Sequence, residues 1–187
     1  PVNLEPDLEN VRVAISRTEP AHENHPEVRE VETLYSDAIR AAERYIYIEN
    51  QYITANEIGK ALERRLEEEH GPEVVLVTPR ESGGWLEETT MDVLRSRLLK
   101  GLRRADRHGR LRVLYAMVKD GDEEVRIKVH AKVLIVDDKL LRVGSANLTN
   151  RSMGLDTECD LAVEADPKRP ETARAVERFR DELLAEH

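Results

Sequence analysis

The stretch from Val129 to Gly154, VHAKVLIVDDKLLRVGSANLTNRSMG, narrows the fold more than any other part of the chain. On a strand, residues two apart share a face. Val129, Ala131, Val133 and Ile135 therefore predict a buried face, and His130 and Lys132 point together from the other. Asp137-Asp138-Lys139 interrupts the apolar run as a turn does, and Leu140 to Val143 returns as the second strand of a hairpin. Gly144-Ser145-Ala146-Asn147 then leaves the sheet. Gly144 permits a close backbone path, and Ser145 or Asn147 is suited to cap a following helix.

The polar groups in this stretch suit an anion. A histidine serves as nucleophile or proton donor near neutral pH, and Lys132 beside it adds a fixed positive charge. Serine, asparagine and the amides of a helix start donate to oxygen atoms, an arrangement that favours phosphate. No second His or Cys stands nearby at metal-ligand spacing, so the residues predict a phosphate site with no metal and no cofactor. A lone His on a strand is more often structural, and Gly-Ser-x-Asn alone is a common turn. Their combination at fixed spacing outweighs that plainer reading.

Length and charge set the frame. The chain has 187 residues, enough for one domain with a sizeable core. Its 29 Lys and Arg against 38 Asp and Glu give a net charge of −9. That balance argues against a non-specific nucleic-acid binder but leaves room for a local basic site. The single cysteine, Cys159, excludes an intrachain disulfide and is expected as a small buried residue. No apolar stretch approaches membrane-spanning length, and no signal peptide is visible. The chain opens at Pro1 rather than at methionine, as a processed protein or an excised piece would.

Around the motif, strands alternate with helices, which implies an α/β layer structure. Val11 to Ile15 predicts a short strand, and Ser16 to His25 a loop whose His22 and His25 lack partners at ligand spacing. Pro26 is placed to open a helix, with Val28, Val31, Tyr35, Ala38, Ile39 and Ala42 as its stripe. Tyr45 to Ile48 is β-prone, and Glu49, Asn50 and Gln51 at its exit are placed to line a site. Ile58, Leu62 and Leu66 mark the next helix, stopped at Gly71-Pro72. Val74 to Val77 reads as a strand covered on both faces. The loop from Thr78 to Trp85 holds Gly83-Gly84 and the only tryptophan, expected to plug a core edge or to reach a lipid interface or substrate. A long helix follows, with Met91, Leu94, Leu98, Leu102 and Ala105 inward and a basic face of Arg95, Arg97, Lys100, Arg103 and Arg104 read as solvated. Leu111 to Val118 predicts a strand, Lys119 to Glu124 an acidic loop, and Cys159 to Val163 a further strand. Ala173, Val176, Phe179 and Leu183 predict a closing helix after Pro170. His187 is either native or the start of a tag.

His-x-Lys, four residues, Asp, six residues, Gly-Ser-x-Asn is the order of His130, Lys132, Asp137, Gly144, Ser145 and Asn147. This resembles the HKD motif of the phospholipase D superfamily. IYIENQYI (Ile46 to Ile53) resembles the start of the second catalytic half of such enzymes, and GSANLTNRSMGLDTECDL (Gly144 to Leu161) resembles its end. The resemblance runs from about Val11 to Val163. It implies a phospholipase D-like sandwich, a mixed β-sheet flanked by helices, with residues 1–187 as a single domain. The family usually carries two motifs and this chain has one, so the likeness implies a half paired with an upstream half, or a homodimer. It further implies catalysis through a phosphohistidine. His130 matches the second-half histidine, with general acid/base as the favoured role. Lys132 and Asn147 match phosphate-binding positions and Ser145 a supporting one. Glu158 matches a carboxylate that orients a histidine across the two-fold, against a plain role as a surface acid. Asp137 reads as structural, holding the turn. The expected substrate is a phospholipid, by hydrolysis or headgroup transfer. Another phosphodiester through nuclease-like chemistry, or a half inactive without its partner, stands as the alternative. Nucleic acid is the less favoured substrate. The cytoplasm, or a membrane surface contacted peripherally, is the expected location.

Overall fold

The computed structural model describes residues 6–80, 85–121 and 123–186, with the backbone alone for 85–90 and 120. The glycines of the Gly83-Gly84 loop, the Trp85 side chain and His187 lie outside the described residues.

Eight strands form one mixed sheet. In chain order the elements are β1 (Ala14–Glu19), β2 (Val28–Arg29), α1 (Glu30–Ala41), β3 (Tyr45–Asn50), α2 (Asn56–Glu67), β4 (Glu73–Val77), α3 (Trp85–Ala105) and β5 (Leu111–Leu114). They continue as β6 (Met117–Asp120), β7 (Glu123–Arg126), β8 (Lys132–Val136), β9 (Leu140–Gly144), α4 (Asn150–Gly154), β10 (Glu158–Glu164) and α5 (Pro170–Glu186). The spatial order is β2-β1-β10-β9-β8-β3-β4-β5, with β6 and β7 as a separate hairpin. β3, β4 and β5 are parallel, joined by α2 and α3 as helical crossovers must join parallel strands. The other pairings of the sheet are antiparallel.

The two faces carry two cores. On the first, Ile46, Ile48, Val74, Leu76, Leu134 and Val136 pack with side chains of α1, α2 and α3. On the second, Tyr47, Val77, Val133 and Ile135 meet Val176 of α5 and the segment around Val129. β8 is central and buried at every position, which is why Val133 to Val136 reads as an unbroken apolar run. Among the described residues, the second face is open over β10, β1 and the Val143 end of β9. There the cross-strand row Val143, Leu161 and Ile15 is 36, 44 and 63% exposed.

That bare face explains two departures from the sequence expectations. The first strand is Ala14–Glu19, not Val11 to Ile15, because its inward residues are Ser16 and Thr18 while Val13 and Ile15 point outward. Cys159 is exposed rather than buried, since it sits on the same open side. Two other expectations shift, while His22 and His25 stay exposed in a loop. Val28 pairs with Glu19 in β2, and the helix begins only at Glu30. The run Leu111 to Val118 breaks after Leu114, and its end joins the supposed acidic loop in the β6–β7 hairpin. His22 and His25 pair with each other through backbone hydrogen bonds of 3.1 and 2.9 Å.

Candidate active site

The hairpin β8–β9 carries the motif, and its turn is pinned from outside. Asp137 and Asp138 both have positive φ, 54° and 55°, a backbone that Asp tolerates better than most residues. The Asp137 carboxylate accepts from the backbone amides of Glu43 (2.6 Å), Arg44 (2.8 Å) and Tyr45 (2.8 Å). It thus fastens the turn to the start of β3, at the end of the hairpin away from His130. Asp138 accepts from Tyr45 Oη and from Arg180 at 2.5 Å, which ties α5 to the same corner.

At the other end, β8 begins at Lys132, so His130 stands just before the strand rather than within it. Its imidazole is exposed and meets no hydrogen-bond partner among the described residues. Lys132 is buried. Its Nζ donates to Gln51 Oε1 (3.1 Å) and to the His130 carbonyl (2.9 Å). Burial lowers its pKa below the ordinary lysine value; the charge of Glu158 opposes the shift and that of Arg142 adds to it. His130, Lys132, Gly144, Ser145 and Asn147 line one cavity of about 460 Å³ that opens to solvent. Val133 and Val143 form its apolar wall.

The loop after β9 supplies the remaining polar groups. Ser145 Oγ donates to Glu158 and accepts from the Cys159 amide (3.1 Å). Asn147 Oδ1 is buried and has no hydrogen-bond partner among the described residues. The cap of α4 is neither Ser145 nor Asn147. Thr149 takes that place, its Oγ1 accepting from the Ser152 amide at 3.1 Å. Of the three polar residues at the end of β3, Glu49 and Asn50 close the strand and Gln51, just beyond it, reaches the motif through Lys132. Asn50 is fully buried, and its Oδ1 accepts from the amides of Tyr52 and Leu148, both at 3.2 Å, bracing the loop from below. Glu49 is buried and accepts from Tyr47 Oη at 3.0 Å. None of the three is among the residues lining the cavity.

Two residues that sequence reasoning passed over hold this arrangement. Arg142 is wholly buried in the middle of β9. Its Nη1 donates to the Lys132 carbonyl (2.9 Å) and its Nη2 to the Ala146 carbonyl (3.1 Å). Its Nε donates to Asp160 Oδ2 (2.8 Å), and the guanidinium lies 4.8 Å from the Tyr35 ring centroid. Asp160 accepts in turn from the Ala146 amide (3.2 Å). One buried ion pair therefore links the Lys132 backbone to the Gly144–Asn147 loop. The signal in the sequence was an arginine inside the apolar LLRVG and an aspartate inside CDLAV. Only the strand register, which sets Asp160 beside Gly144, brings them together.

The same register explains Gly144. A Cβ there would lie 2.0 Å from Asp160 Oδ1 and 2.6 Å from its Cα. Gly144→Ala must displace backbone or the Arg142–Asp160 pair, so a loss of about 1–3 kcal/mol is expected, as for overpacking in a core. Urea unfolding of the variant measures it, and an unchanged midpoint would contradict the close approach.

Comparison with known proteins agrees with this architecture. Residues 35–183 match a family described as cardiolipin synthase, PLD-like domain. Phospholipase D A of Dictyostelium discoideum is 30% identical over 164 residues, covering 72% of this chain and 13% of that protein. Phospholipase D C of the same organism is 27% identical over 146 residues, covering 64% and 9%. The chain thus spans only a small part of these relatives. Among solved structures, Nuc of Salmonella typhimurium, a phospholipase D family member, superposes with TM-score 0.59 at 20% identity, over 91% of this chain and 92% of that one. NucT of Helicobacter pylori gives 0.61 at 17%, over 94% and 98%. Phosphatidylserine synthase of Haemophilus influenzae gives 0.67 at 19%, over 91% and 38%. With the family match spanning most of the described sheet and its hairpin, the chain belongs to the phospholipase D-like superfamily.

Proposed function

We propose that the chain supplies one histidine to a two-histidine phosphodiesterase site that acts on phospholipids. The observation that carries this reading is the convergence of His130, Lys132, Ser145 and Asn147 on one cavity with a single histidine. In the first step one histidine attacks phosphorus, an N–P bond forms and the P–O bond to the leaving alcohol breaks. The opposing histidine gives its proton to the leaving oxygen. In the second step that histidine takes a proton from water or an acceptor alcohol. The oxygen attacks phosphorus and the N–P bond breaks. His130 is assigned to the acid/base role, and in a symmetric pair it serves in either. Lys132 and Asn147 bind the non-reacting phosphate oxygens, with Ser145 supporting them and Glu158 set to orient a histidine across the interface.

The second histidine comes from another copy or from an upstream half. The bare row Val143, Leu161 and Ile15 starts at the cavity wall, and it is the surface such a partner would cover. Residues 1–187 then form one domain of a paired assembly.

Turnover of phosphatidyl lipids in mixed micelles, set against single- and double-stranded DNA under matched conditions, tests the substrate. Lipid turnover should exceed nuclease turnover; the reverse would favour the nuclease-like alternative.

Two further results are expected of the active assembly. The lowered Lys132 pKa means that its phosphate-binding charge is lost as pH rises, earlier than for an ordinary lysine. KM should therefore climb on the alkaline side, and Lys132→Arg should move that limb upward, because arginine keeps its proton. A limb that does not move places the titration elsewhere. No group of three His, Cys, Asp or Glu among the described residues could hold a metal ion. Activity should accordingly survive a strong chelator and dialysis, and restoration only by added divalent metal would oppose the scheme.

A further inference from the structure

From Val93 to Ala105, α3 contains five bases and no acid, although the whole chain carries a net charge of −9. Arg95 is not part of the exposed set. It turns inward and donates to the carbonyls of Pro79 (2.6 Å) and Arg80 (2.7 Å). The other four, Arg97, Lys100, Arg103 and Arg104, are exposed. At about 100° per residue, Val93, Arg97, Lys100 and Arg104 fall within one narrow stripe, with Arg103 at its flank. Leu99 and Leu102 on the far side pack into the first core. None of the four bases forms an ion pair among the described residues. Glu63 of α2 comes up against Gly101 without pairing to any of them. On the neighbouring α2, Lys60 is matched to Glu57 and Arg65 to Glu68. Val93 and Leu94 continue the patch with exposed apolar side chains, 48 and 37% accessible.

We infer that this face of α3 docks on the surface of an anionic phospholipid bilayer. Unpaired bases in a line attract the negative surface potential of such a membrane, and each base near the surface strengthens binding about fivefold. The exposed valine and leucine favour a bilayer over a nucleic acid. A headgroup boundary accepts apolar side chains next to bases, whereas a phosphate backbone offers them nothing. The helix begins after the carboxyl end of β4, and Asn50 and Gln51 stand at the same end of the parallel strands. Docking along α3 therefore holds the chain at the membrane with its Val93 end toward the motif's side of the sheet. This role is separable from the lipid-substrate reading, because binding is measured without turnover.

The test is sedimentation of the chain with vesicles of phosphatidylcholine alone and with vesicles of phosphatidylcholine and phosphatidylglycerol in equal parts. A single-stranded and a duplex DNA oligonucleotide are titrated in parallel. The expected result is binding to the anionic vesicles only, weakened by salt. The quadruple variant Arg97→Gln, Lys100→Gln, Arg103→Gln, Arg104→Gln should bind at least about a hundredfold more weakly. These are exposed positions, so turnover on a soluble phosphodiester should stay at the parent level. Equal binding by the quadruple variant, or equal binding to neutral vesicles, would overturn the inference. So would DNA binding that is tighter than vesicle binding and is lost on the same substitutions.

Discussion

His130→Ala is expected to lower turnover by at least ~10²–10⁴-fold, the usual range for loss of a general acid–base group, and by more wherever His130 is the attacking residue. The fold should be untouched. The imidazole is exposed and has no hydrogen-bond partner among the described residues, so its removal leaves no cavity and no orphaned group there. That separation is what makes the substitution informative. A chromogenic phosphodiester assay on the complete assembly, run beside a thermal melt, reads both quantities. Near-normal turnover would remove His130 from the chemistry, and a large fall in Tm would assign it a structural role instead.

Arg142→Met should do the opposite, striking stability first. The guanidinium is wholly buried, and Asp160 beside it is fully buried as well. Removing one partner of such a pair leaves an uncompensated charge, at a loss of about 3–5 kcal/mol. For a chain of this size that is a fall of roughly 6–20 °C in Tm. Asp160→Asn added to Arg142→Met should recover part of the loss, since the stranded charge is gone while an oxygen still accepts from the Ala146 amide. Failure of the second change to recover stability would show that packing, not charge, is what Arg142 supplies. Activity should fall with the single variant as well, because the carbonyls of Lys132 and Ala146 lose the donor that joins them.

What the sequence made legible was local. The apolar run before Asp137 and the pair of aspartates at the turn announced β8 and β9, and the structure has that hairpin with both aspartates at positive φ. The runs at Tyr45 to Ile48 and Val74 to Val77 announced two strands, and the structure places both as β3 and β4, buried on two faces. Where a face has no cover, the code reverses. Ser16 and Thr18 point inward and Ile15 outward, so the hydrophobic pattern placed the first strand too early, and Cys159 fell on the open side. Periodicity also carries no information about partners across the sheet. Arg142 and Asp160 are 18 residues apart and meet only through the β9–β10 register. Asp137 was readable as a turn residue, but its hold on the amides of Glu43, Arg44 and Tyr45, some 90 residues away in sequence, was not.

If one chain holds half a site, turnover must follow pairing. Molecular mass in solution, measured by light scattering alongside phosphodiesterase turnover over a dilution series, reads that dependence. His130→Ala serves as the blank. Turnover per chain should fall as the mass falls to that of the monomer, and adding a second motif-bearing half should restore it. A strictly monomeric sample with robust turnover, abolished by His130→Ala, would contradict that dependence.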